Sequence, residues 1–202
     1  MNWILASGSP RRRELLEMLG VPDLTIRPAK GPERATPGAG PEQTVRELSL
    51  HKAQEVAQTC APEDIIIAAD TIVYLDGAIL GKPKDHDDAV RMLTALSGRE
   101  HIVYTGVAVL RGGKLRQAAE QTAVRFRTLT PAEIERYIAT GEPLEVAGSF
   151  TLEGFGGAFI DSIEGDPHGI IGLSLPLARH LAGELGITWT DLWNVGRGEL
   201  EP

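Results

Sequence analysis

The segment Leu5-Ala6-Ser7-Gly8-Ser9-Pro10-Arg11-Arg12-Arg13 constrains the fold more than any other stretch, because it hands an apolar strand to a helix through small residues. Asn2 to Ala6 reads as a short apolar strand, and Pro10 followed by Glu14-Leu15-Leu16-Glu17-Met18-Leu19 and Gly20 carries the start and stop signals of a helix. Ser9 suits the N-cap and Pro10 the first helical position. Free N–H groups and the positive end of the dipole collect at such a helix start, which favours an anion there. Arg11 and Arg12 add forked, permanently charged donors. Taken alone, these residues fit a capped helix with solvated arginines equally well. Arg13 points about 100° further round the helix and is expected to be solvated.

Downstream, Leu24-Thr25-Ile26-Arg27 predicts a second strand, and Pro28 to Pro41, rich in Gly and Pro, a long loop of the kind that is functional or disordered. Thr44 to Thr59 has apolar residues at 45, 48, 53, 56 and 57, close to the helical period, with Lys52 near its middle. Ile65-Ile66-Ile67-Ala68-Ala69 suits a strand buried on both faces, which Asp70 is expected to end. Thr71 to Leu75 continues extended, and Asp76-Gly77 turns it into a hairpin with Ala78-Ile79-Leu80. Gly81-Lys82-Pro83-Lys84 is a loop, followed by a helix from Asp85 to Ser97 stopped by Gly98.

Two long strands, about His101 to Leu110 and Leu115 to Phe126, are joined through Arg111-Gly112-Gly113-Lys114. Thr130-Pro131-Ala132-Glu133 is a capping box opening a helix that ends before Gly141. Leu144 to Phe150 and Gly157 to Ile163 have strand character and flank the loop Thr151 to Gly156, where a ligand can approach the backbone closely. Leu175 to Leu185 makes a last helix, and the tail from about residue 188 is weakly specified. Early βαβ alternation followed by a long hairpin predicts an α/β fold with a mixed, twisted sheet flanked by helices and a cleft at strand ends. A single domain over residues 1–202 is expected, with two lobes around the cleft compatible with it.

The charge balance narrows the function. With 28 acidic against 20 basic residues and a net charge of −8, nonspecific binding to nucleic acid or an anionic membrane is disfavoured, so an anion site must be local and dense. A single cysteine, Cys60, rules out an internal disulfide and a cysteine-based zinc site, which fits a reducing cytosol. Trp3-Ile4-Leu5-Ala6 is shorter than a signal-peptide core of about 7 to 15 residues. No run approaches the ~18 apolar residues of a membrane span.

Histidines at 51, 86, 101, 168 and 180 never take the i, i+4 spacing, and no histidine-bound metal is expected. No Walker motif, dinucleotide fingerprint or Gly-x-Ser-x-Gly elbow appears, and Cys60 is no candidate for covalent catalysis. What remains is a basic phosphate cradle with a buried acid, which matches hydrolysis of a polyphosphate by metal-assisted water. Asp70 is the sharpest residue, since a carboxylate after five apolar positions needs a metal, a base role or a hydrogen-bond network. Capping of the next turn remains its structural alternative, and a solvent-facing turn lysine remains that of Lys82.

Separated motifs then stand in order: Leu5-Ala6-Ser7-Gly8-Ser9-Pro10-Arg11-Arg12, Ala69-Asp70-Thr71, Gly81-Lys82-Pro83, Leu96-Ser97-Gly98-Arg99, and Ala147-Gly148-Ser149-Phe150 with Glu153-Gly154 and Gly156-Gly157. Over roughly residues 3–185 this set resembles the Maf proteins, nucleoside triphosphate pyrophosphatases with an inosine triphosphate pyrophosphatase-like fold. The resemblance implies that Ser9, Arg11, Arg12, Lys52 and Lys82 hold the triphosphate of a nucleoside triphosphate and that Asp70 is the general base. It implies Glu33 as a second acid, with Glu42 as a competitor, and Asp70 and Glu33 as ligands of a divalent cation, Mg²⁺ or Mn²⁺.

Water would attack the α-phosphate, releasing diphosphate and a nucleoside monophosphate in the cytoplasm, in a role such as clearing non-standard nucleotides. Nucleic acid and membrane partners are not expected, and a homodimer is compatible with the resemblance. Arg11, Thr71 and Glu153 fall at its base-specificity positions. Members acting on dTTP and UTP carry Arg, Thr and Gln there, whereas a 7-methyl-GTP group has Glu in the last motif. Thr71 with Glu153 is a mixed signature. The family's historical name suggests the alternative of a nucleotide-binding regulator of cell division and septum formation.

Overall fold

A mixed sheet runs through the computed structural model, which describes residues 2–21, 23–32 and 34–193. Its strands are β1 (Trp3–Leu5), β2 (Thr25–Ile26), β3 (Ile65–Leu75), β4 (Ala78–Leu80), β5 (Glu100–Arg111), β6 (Lys114–Phe126) and β7 (Ile160–Glu164). They lie in the order β2-β1-β3-β5-β6-β7, with β4 also paired to β3. β1 is parallel to β2 and β3, and the other pairings are antiparallel. The helices are α1 (Pro10–Met18), α2 (Pro41–Ala57), α3 (His86–Leu96), α4 (Pro131–Ile138), α5 (Pro167–Ile171) and α6 (Leu175–Gly183). The expected mixed α/β architecture is what the chain forms. Gly40 and Pro41 start α2 about a turn before Thr44, since proline at the first helical position needs no N–H partner.

β3 organises everything around it. Alternation sends Ile65, Ile67 and Ala69 to one face, against Leu15 and Leu16 of α1 and Ala178 and Leu181 of α6. Ile66 and Ala68 go to the other, against Ala53 and Val56 of α2. Beyond Asp70 the strand enters a third core, where Val73 and Leu75 pack with Leu93 and Leu96 of α3 and Ile134 and Ile138 of α4. Full burial of each such side chain contributes about 1.5–3 kcal/mol.

Asp70 does not end β3, contrary to the expectation from the apolar run. The strand continues for 11 residues because Asp70 keeps its place in the ladder opposite Gly106 of β5. The neighbours on the other edge change instead. β1 leaves at the Leu5–Ile67 pair and β4 joins at Val73–Leu80, so no described strand covers that edge from Ala68 to Ile72. The gap falls where the cores part.

Three further segments differ from expectation. Leu144 to Phe150 is not a strand but part of two 3₁₀ turns, Glu142–Glu145 and Ala147–Ser149. Pro143 opens the first, while Gly148 at φ +69° and Ser149 at φ +60° turn the second out of any extended course. A Cβ on Gly148 would also sit 2.6 Å from Val73 Cγ2. Gly157 to Ile163 is extended only from Ile160, after a 3₁₀ turn over Phe155–Phe159. The tail also packs further than predicted: Trp189 is 5% exposed, its ring edge-on to Trp3 at 5.4 Å between centroids. Residues 194–202 of that predicted tail lie outside the described ones. No described helix is long and apolar enough to cross a membrane.

His101 adds a pH dependence. It is 2% exposed, packed edge-on to Phe126 and Phe150 at 5.1 and 5.2 Å, with neither ring nitrogen partnered among the described residues. Burial pulls its pKa down from 6.5 to about 4. The unfolded chain takes up this proton below pH 6.5 and the native one only near 4, so stability falls as pH drops through that window, by up to about 3 kcal/mol. Glu120 acts oppositely: burial lifts its carboxyl from 4.5 to about 7, so its contribution is present below 4.5 and fades as pH rises through 7. Denaturant melts of wild type and His101→Phe at pH 7.5 and 4.5 should therefore show a smaller acid loss in the variant. Equal losses would contradict this reading of His101.

Candidate active site

The open edge of β3 floors a cleft of about 830 Å³, walled by the start of α1, the middle of α2, the loop after β4 and the segments around residues 145–153 and 170–172. The turn after β1 puts Ser9 at the N-cap of α1, its Oγ accepting from Arg12 N at 3.5 Å. Ser7 Oγ accepts from Ser9 N at 3.2 Å and from Arg12 Nη1 at 3.0 Å, while Arg12 Nε donates to Gly172 O at 2.8 Å. Ser9 therefore caps the helix and borders the cleft at once. Arg12 is held between the first turn and the end of α5, a seat formed 160 residues apart in sequence. Arg13 instead pairs with Glu17 at 2.7 Å on the exposed side of α1 and does not line the cleft.

Asp70 falls on the α2 face of β3 by the same alternation as Ile66 and Ala68. Lys52 Nζ of α2 meets Asp70 Oδ1 at 2.5 Å, both side chains largely buried. The two groups form a direct, charge-assisted hydrogen bond. Thr71 points to the opposite face, sharing a hydrogen bond with Thr105 Oγ1 at 3.0 Å and donating to Gly172 O at 3.3 Å. Thr105 in turn donates to Gly169 O at 2.7 Å, so the threonine pair clips α5 to the centre of the sheet. Lys82 enters from the loop after β4, which is fixed by Gly148 N donating to Gly81 O at 3.0 Å. Arg11 Nε and Glu153 Oε1 approach to 3.7 Å, joining the start of α1 to the loop after Phe150.

The fold thus brings Ser9, Arg11, Arg12, Lys52, Asp70, Thr71, Lys82 and Glu153 into the lining of one cleft. Glu33, expected as the second acid, lies outside the described residues. Its competitor Glu42 faces a separate hollow at the start of α2 with Arg46 and Tyr104. Phe150, part of the Ala147–Phe150 motif, lines the wall, whereas Glu145 and Ile170 beside it were not anticipated, nor was the seat that Gly172 gives Arg12. No local pattern announces these contacts, because each joins segments far apart in the chain. The resemblance implied Lys52 and Asp70 at one site, as phosphate holder and base; their direct pairing had no signal in the sequence.

Comparison with known proteins gives the family of the chain. The Maf-like protein family matches residues 2–185, and the chain belongs to that family. A Bifidobacterium longum protein named nucleoside triphosphate pyrophosphatase/Nudix hydrolase fusion protein is 62% identical over 140 residues, covering 68% of this chain and 29% of that one. A dTTP/UTP pyrophosphatase of Gloeobacter violaceus is 45% identical, over 90% of this chain and 94% of its own. A nucleoside triphosphate pyrophosphatase of Corynebacterium glutamicum strain R is 41% identical, over 96% and 100%. Among solved structures, the Staphylococcus aureus Ham1 protein superposes with a TM-score of 0.45 at 13% identity, covering 62% of this chain and 72% of that one.

Proposed function

We propose that this protein hydrolyses a nucleoside triphosphate to a nucleoside monophosphate and diphosphate, with water attacking the α-phosphorus. The observation that carries the reading is the Lys52–Asp70 pair on the cleft floor, with Arg11, Arg12 and Lys82 on the surrounding walls. In that role Asp70 takes the proton of the attacking water. The guanidinium and ammonium groups stabilise the charge that grows on the bridging oxygen and β-phosphate as diphosphate leaves. The Ser9 hydroxyl and the N–H of Arg11 add donors to the same phosphates, Pro10 having no N–H and those of Arg12 and Arg13 donating to Ser9. A cleft of about 830 Å³ is within the ordinary range of a small-ligand site.

A divalent cation fits the donor chemistry. Asp70 would offer the hard carboxylate oxygen that Mg²⁺ or Mn²⁺ takes, with substrate phosphate oxygens and water supplying the rest. When bound, the ion would neutralise phosphate charge and polarise the reacting phosphorus. Incubation of the purified protein with a nucleotide panel and Mg²⁺ should yield monophosphate and diphosphate in equal amounts. Nucleotide binding without monophosphate would overturn the reading.

Arg11, Thr71 and Glu153 form the base subsite in this reading. An ionised Glu153 only accepts hydrogen bonds, which suits a base edge rich in donors, such as the N1–H and 2-amino group of guanine. Gln at this position both accepts from N3–H and donates to O4 of uracil or thymine. Glu153→Gln is therefore expected to raise kcat/KM for dTTP and UTP relative to GTP by about 10-fold, the worth of one good paired contact. An unchanged ratio would remove Glu153 from the base subsite.

A further inference from the structure

Behind the base subsite lies a carboxylate that does not line the cleft. Glu142 follows Gly141, whose left-handed φ of +81° closes α4. Its Oε1 accepts from Tyr137 Oη at 2.6 Å, Thr151 Oγ1 at 2.5 Å and Gly156 N at 3.1 Å, and its Oε2 from Phe155 N at 2.9 Å. The partners are themselves linked: Tyr137 Oη accepts from Thr151 N at 3.2 Å, and Thr151 Oγ1 from Gly154 N at 3.2 Å. The N–H groups of Thr151, Gly154, Phe155 and Gly156 thus converge, directly or through one hydroxyl, on one side chain.

The surrounding backbone is shaped to it. A Cβ on Gly154 would lie 2.3 Å from Glu142 Oε2, and one on Gly156 would lie 2.4 Å from Tyr137 Oη. Burial would raise the pKa of Glu142, but the hydrogen bonds from Thr151, Tyr137, Phe155 and Gly156 outweigh it and hold the group below its usual value. It is therefore a four-fold acceptor at neutral pH. A loop that recognises a base needs such support, because a displacement of about 1 Å is enough to cost 10²-fold in function.

We propose that Glu142 is the positioning residue of base recognition, fixing the 151–156 loop so that Glu153 faces the nucleobase while the phosphate cradle is held independently. This rests on the assignment of Glu153 to the base subsite. Glu142→Gln replaces one acceptor oxygen by a donor NH₂ that faces other donors, whereas Tyr137→Phe removes one donor to the carboxylate and the acceptor of Thr151 N but leaves the carboxylate and the ring contact with Phe159 in place.

The readout is affinity, measured calorimetrically with nucleotides bearing a methylene α–β bridge and with inorganic triphosphate. For Glu142→Gln the ratio of affinities for the best and worst nucleotide should flatten about 10-fold or more, with inorganic triphosphate binding unchanged. Tyr137→Phe should move the ratio the same way by less, and it decides the matter if Glu142→Gln does not fold. Equal weakening of nucleotide and inorganic triphosphate, or an unchanged ratio in a folded variant, would overturn the proposal. Failure of the wild type to hydrolyse normal substrates would count against the pyrophosphatase reading alone, because these ligands are bound and not cleaved.

Discussion

Asp70→Asn is expected to lower turnover by about 10²- to 10⁴-fold while leaving nucleotide affinity within a few-fold, the signature of a lost general base. The substitution is close to isosteric, and the backbone at this position stays fixed by its register with Gly106. Asn cannot take a proton from water at neutral pH. Lys52 loses its charged partner, but Arg12 keeps its seat on Gly172 O and Ser7, and Lys82 remains on the loop held by Gly148. Single-turnover kinetics and calorimetry separate the two effects. Near-normal turnover would take the base role from Asp70, and a parallel loss of affinity would make it a binding residue.

Gly106→Ala is expected to produce the largest loss of stability from a single methyl group. A Cβ there would lie 2.3 Å from Val45 O, 2.5 Å from Val45 C and 2.9 Å from Arg46 N, all backbone atoms of α2. No flexible side chain can give way, so α2 must lift from β5. Overpacking of this kind costs about 3 kcal/mol, which for a chain of this size lowers Tm by about 10 °C. The same displacement carries Lys52 away from Asp70, so turnover falls together with stability. Gly183→Ala is the control: nothing lies within 4 Å of its added Cβ, and the position is helical. That variant should be neutral or slightly stabilised. A Gly106→Ala protein with wild-type Tm would show that α2 is not seated as described.

Much of the site was legible because its residues lie in segments with strong local signals. The strand-to-helix turn at Ser7–Arg12 was readable from small residues, Pro10 and the charge cluster, and the capping box at Thr130–Glu133 from spacing alone. Asp70 stood out as a charge against an apolar run, but its setting was misread. An acid inside a strand looks like a terminus unless the partner strand is known, and only Gly106 in β5 shows that the ladder passes through it.

The region from Glu142 to Phe159 failed for a related reason. Its apolar residues have strand character, yet positive φ at Gly148 and Ser149 and the four donors gathered by Glu142 fold it into turns. Those partners lie 5 to 14 residues away, at no period that a helix or strand imposes. Trp189 was missed because its partner Trp3 is at the other end of the chain.

In the proposed reaction, water attacks the α-phosphorus in the cleft floored by Lys52 and Asp70. Hydrolysis in ¹⁸O-labelled water with Mg²⁺, followed by mass spectrometry of both products, tests it most directly. One ¹⁸O should appear in the nucleoside monophosphate and none in the diphosphate, with both products disappearing in step in Asp70→Asn. Label in the diphosphate, or release of orthophosphate as the first product, would contradict it.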